Sequence, residues 1–165
     1  MNTTIKAVFA ITAFSILMPC TLIRGQDAST TAQPATKQSQ PLQGSWEGVE
    51  VGQEAEGKCR ITITGNSIHF QGANRDEWYK TIFTLPSGTD PKQLRATITD
   101  CSQPDYIGKV SLCIFKIEAG TLTLVGNRPG FPDAPKGFEG DGDSRTFVFH
   151  KAQPQKDNAG TPKTK

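Results

Sequence analysis

Between Trp46 and His150 apolar and polar residues alternate in short runs of period two, with no stretch of the helical 3.6-residue period. Lys58–Thr64 sets Cys59, Ile61 and Ile63 against Arg60, Thr62 and Thr64. Ser67–Gln71 has Ile68 and Phe70 on one face, and Leu94–Asp100 sets Leu94, Ala96 and Ile98 against Arg95, Thr97 and Thr99. Trp46–Val51, Trp78–Leu85, Thr121–Val125 and Thr146–His150 are further runs. Val110–Ile117 is apolar on both faces, which predicts a strand covered on both sides. Turn signals separate the runs: Gly65-Asn66, Pro86-Ser87-Gly88 and Ala119-Gly120. Gly126–Ser144, dense in glycine and proline, predicts a long irregular connection.

Eight short strands at such spacing predict an all-β sandwich or barrel. Short successive turns favour an up-and-down meander, so the expected fold is a single eight-stranded antiparallel barrel. Closing the sheet removes edges that would otherwise pair with other chains. The expected inward side chains are Ile61, Ile63, Ile68, Phe70, Phe83, Leu85, Phe115, Ile117, Leu122 and Leu124, with the phase of Trp46–Val51 ambiguous. A barrel of this size either fills itself with side chains or encloses one small ligand.

The flanks add compartment and charge. Met1–Lys6 carries one lysine, Ala7–Met18 is almost wholly apolar, and Ile23-Arg24-Gly25 offers a cleavage point. This is the layout of a secretory signal over residues 1–25, too short to span a bilayer, and it predicts export to the periplasm or the extracellular space. Cys20 invites a lipid anchor, but Pro19 stands where a small residue is required. Residues 26–40 and 153–165 are poor in large apolar side chains and read as a disordered linker and tail around a domain at 41–152. Without Lys6 and Arg24 the chain has 16 basic and 16 acidic residues, which gives no electrostatic footprint for nucleic acid. Cys59, Cys101 and Cys113 remain, an odd number. Cys59 reads as a small buried hydrophobe, and a Cys101–Cys113 bridge is left open, the two being offset along one hairpin.

Catalytic and metal chemistry find little support. His69 and His150 have no companions at ligand spacing. Glu139–Ser144 crowds carboxylates beside glycines but departs from the calcium-loop pattern and reads as a solvated loop. Asp76 and Glu77 are adjacent, so an extended chain points them to opposite faces. There is no Gly-x-Ser-x-Gly. No catalytic residue, cofactor or metal is assigned, and a monomer is expected.

Leu42-Gln43-Gly44-Ser45-Trp46 resembles the LQGxW opening of a bacterial family of exported lipocalin-like domains of the planctomycete type. The resemblance extends over 41–152 and includes the strands at Phe83/Leu85, Gly108–Ile117 and Thr121–Leu124 and the late Arg145. It implies that Gly44, Trp46 and Arg145 close one end of the barrel, with Arg145 packed across Trp46. Where members of the family carry Arg-Pro-x-x-Phe, this chain has Ala134-Pro135-Lys136-Gly137-Phe138. The resemblance bears on the fold and carries no established activity; the barrel interior itself makes non-enzymatic binding of a small apolar or amphipathic ligand the expected function, with Ile61, Ile63, Phe70, Phe83, Phe115, Leu122 and Leu124 as candidate contacts. The alternatives are a filled barrel acting as an envelope-associated interaction module, with 126–144 as its contact surface, and an undetected enzyme.

Overall fold

In a computed structural model, which describes residues 33–153, the alternating runs form eight antiparallel strands. They are β1 (Gly44–Glu50), β2 (Cys59–Thr64), β3 (Ser67–Gln71), β4 (Trp78–Thr84), β5 (Lys92–Cys101), β6 (Val110–Glu118), β7 (Thr121–Asn127) and β8 (Ser144–Lys151). Each pairs with the next, and β8 returns to β1 in the register Trp46↔Lys151 to Glu50↔Phe147, so the sheet is a closed up-and-down barrel of the lipocalin-like type. The helical turns are short 3-10 turns at Gln40–Leu42, Glu54–Glu56 and Pro104–Tyr106.

Antiparallel order sorts the connections into two poles. The turns at 65–66, 85–91 and 119–120 lie at one pole, together with the chain entering β1. The connections 51–58, 72–77, 102–109 and 128–143 lie at the other. The first pole is closed. Trp46, 1 % exposed, donates its Nε1 hydrogen to the Leu42 carbonyl at 2.8 Å, which draws the Gln40–Leu42 turn beneath the barrel. Gly44 sits at φ +103°, a backbone shape other residues rarely adopt, and this lets the chain bend from that turn into β1. Gln43 ties the same turn to the β2–β3 hairpin through Gly65 N–H (2.7 Å) and Gly65 C=O (2.9 Å).

Part of the predicted linker is ordered. Gln33 and Asn66 exchange two hydrogen bonds, and Ser39 is buried in a turn with Thr36. Gly65 permits this docking: a Cβ there would meet the Gln33 carbonyl at 2.1 Å, and its φ is +60°. The expected signal segment at 1–25 with Cys20, residues 26–32 of the expected linker and the chain beyond 153 lie outside the described residues.

Strand β6 is covered on both sides, as its composition predicts. Ile114 points outward yet is fully buried, and so is its cross-strand partner Val125. The 128–143 connection folds back over this outer wall: Asn127 Nδ2 donates to the Asp133 carbonyl at 2.7 Å, Pro135 is buried, and Phe138 lies against Lys116. Strand β5 carries a bulge, since Lys80 faces Asp100 while Thr81 faces Ile98, leaving Thr99 unpaired. The bulge moves the inward phase from Ile98 to Cys101.

Cys59, Cys101 and Cys113 are all buried free thiols. Cys113 faces Leu94 across the β5–β6 pair, seven positions from Cys101. That offset is about 20 Å along the strand, far beyond the roughly 7 Å that a disulfide can bridge.

Candidate functional site: a cavity under the open pole

Inward side chains change size along the barrel. Trp46, Ile63, Phe83, Phe115, Leu122 and Phe149 fill the closed half as one apolar cluster. Towards the open pole β4–β7 instead turn in Thr81, Ala96, Ser111, Cys113 and Gly126, all small, and a cavity of about 440 Å³ remains there. This lies within the range of small-molecule sites. Its wall is completed by Ile61, Ile68, Leu94, Ile98 and Leu124.

A string of aromatic rings runs from the mouth downward. Tyr106 lies 6.5 Å from Tyr79, Tyr79 lies 6.1 Å from Phe70, and Phe70 meets Phe147 edge-on at 5.3 Å. Phe147 then stacks on Phe149 of the packed half at 5.8 Å. Burial pushes the Tyr79 phenol above its ordinary value, with the nearby Glu77 charge adding to it. Burial likewise pushes the Cys113 thiol up to about 11, so that it stays protonated and unreactive at neutral pH. Thr81 is 8 % exposed, lines the cavity and finds no hydrogen-bond partner for its hydroxyl among the described residues.

Ion pairs hold the rim. Arg145, at the start of β8, donates from Nε to Glu50 Oε1 at 2.7 Å and from Nη2 to Glu50 Oε2 at 2.5 Å. Its other edge binds Glu77, through Nη1 to Oε1 and through Nη2 to Oε2 at 3.3 Å. One guanidinium thus joins the end of β1, the β3–β4 connection and β8, and the Glu50 hydrogen bonds foremost hold it protonated. Arg128, Asp143 and Gln103 complete the polar rim.

The expected stacking of Arg145 on Trp46 does not occur. Register decides the matter: β8 runs antiparallel to β1, so the residue opposite Trp46 is Lys151. Lys151 Nζ lies 4.0 Å from the Trp46 ring centroid and donates to the Gln43 carbonyl. Arg145 sits at the opposite pole, over the Phe147 ring at 5.1 Å. Gly44 and Trp46 are at the closed pole; Arg145 belongs to the mouth.

Of the candidate contacts, Ile61, Phe70 and Leu124 line the cavity, while Ile63, Phe83, Phe115 and Leu122 pack beneath it. The alternation pattern missed Tyr79, Tyr106, Glu50, Glu77 and the small inward residues. Strand ends at the same pole were the available signal, since β1, β4 and β8 all meet the mouth. Glu77 converges with Glu50 from another strand rather than with its neighbour Asp76.

Elsewhere the polar groups serve local structure. The Asp141 carboxylate accepts from its own turn, at Asp143 N–H (3.1 Å), and His150 Nδ1 lies 3.3 Å from Thr121 Oγ1. Among the described residues no group of three or more His, Cys, Asp or Glu side chains is placed to hold a metal ion, and no helix is long and apolar enough to cross a membrane. No family model, curated protein or solved structure matches the chain.

Proposed function

We propose that this protein is an exported, non-enzymatic lipocalin-like carrier that takes one small apolar or amphipathic molecule into the cavity under its open pole. The observation that carries this is the division of the barrel into a packed half and a hollow half. Self-filling barrels leave only water-sized voids, whereas about 440 Å³ with an apolar wall and a polar mouth suits a ligand with a tail and a head. Export follows from the layout of the first 25 residues. A monomer is part of the proposal, because a closed sheet offers no edge to a second copy. The interaction-module alternative uses the outward side of the 128–143 connection, which stays exposed while its inner side packs on β6 and β7, but it gives no role to the hollow half.

The test uses Ala96→Phe, which places a ring in the hollow half from an inward wall position. Native protein is expected to bind an environment-sensitive apolar dye, and a natural ligand is expected in native mass spectra of protein from its own host. The variant is expected to keep its β-sheet circular dichroism and to lose dye affinity by about tenfold or more. Equal dye binding by both proteins would remove the cavity from the proposal.

A further inference from the structure

We infer that the cavity selects positively charged amphiphiles, molecules with an ammonium head and an aliphatic or flat apolar tail. This rests on the binding proposal above and adds the charge of the ligand. The rim cluster of Glu50, Glu77 and Arg145 holds two carboxylates against one guanidinium, a net charge of −1. Arg145 is already committed: four of the five N–H bonds a guanidinium carries point at those carboxylates. An incoming carboxylate could engage Arg145 only by displacing Glu50 or Glu77 and leaving it unpaired. Each Glu oxygen accepts only one of these bonds and keeps a lone pair for an ammonium N–H.

Two further observations point the same way. The four connections at the open pole, with Glu50 and Arg145, carry ten acidic residues against six basic ones. Such an excess concentrates cations at the mouth. The aromatic string begins at that mouth, and its rings already receive cations: Lys109 Nζ lies 5.4 Å from the Tyr106 centroid, and Arg145 lies over Phe147. Arg128 and Lys109 oppose the preference. Arg128 shares the cavity rim with Asp143, and Lys109 is engaged by Tyr106.

Calorimetric titration at pH 7 with decylammonium and decanoate, each below its micelle concentration, and with decanol below its solubility limit separates charge from tail. Decylammonium is expected to bind about tenfold more tightly than decanoate, with the gap narrowing as salt is raised. In Glu77→Gln the rim becomes neutral and one side of Arg145 loses its anionic partner. The cation preference is then expected to vanish or reverse, while an unchanged β-sheet circular dichroism spectrum shows that the barrel is intact. Decanoate binding as tightly as decylammonium to native protein, or a preference unmoved in Glu77→Gln, would overturn the charge assignment and leave the cavity proposal standing. Binding of none of the three would sink both.

Discussion

The Cys113 thiol lies in the cavity wall with its ionised form excluded by burial, and this makes stability depend on alkali in a calculable direction. Its folded value, about 11, stands above the ordinary 9.0, so the folded chain holds the proton more tightly than the unfolded chain does. Stability from this group is therefore complete below about pH 9 and is lost as pH rises towards about 11, by about 3 kcal/mol in all. Urea titrations at pH 8, 9, 10 and 11 are expected to show that decline, and Cys113→Ala to flatten most of it. Cys59 and Tyr79 are shifted in the same direction and account for a residual slope. At this scale the sequence is a poor guide to the site. Ala96, Ser111 and Gly126 look like weak strand residues, and only their shared inward phase reveals that they leave space.

Strands β6 and β7 show what an element's pattern reveals. A run apolar on both faces announces a second cover, and Ile114 and Val125 receive it from the 128–143 connection. Ile114→Ala is expected to cost about 3 kcal/mol, as a core truncation does, although the residue lies outside the barrel. Chemical denaturation measures this directly, and a cost below about 1 kcal/mol would mean that the cover does not pack. Conversely, Arg145 could not be placed from its lateness in the chain alone. Its partner across the closing pair is fixed by register, and that pair matches Trp46 with Lys151. The bulge at Thr99 was equally hidden, because one unpaired residue leaves a strand's composition unchanged.

For the whole molecule, the closing seam joins the first strand to the last, and the two backbones approach closely at Gly48. A Cβ on Gly48 would stand 1.9 Å from the Val148 carbonyl oxygen and 2.7 Å from the Phe149 Cα, where no side chain can yield. Gly48→Ala is therefore expected to cost about 3 kcal/mol and to raise hydrogen exchange along β1 and β8. Gly137→Ala, with open space and no positive φ, is expected to be neutral. Barrel closure was legible from eight regular runs. The convergence of Glu50, Glu77 and Arg145 was not, because they lie far apart in sequence and meet only when the sheet wraps round. The same wrapping brings both described ends to one side: Gln33 rests on Asn66, and Ala152 N–H donates to the Ser45 carbonyl. A biosensor chip or a fused reporter attached through either end would thus leave the entrance facing the bulk solution, with no need to reposition the attachment.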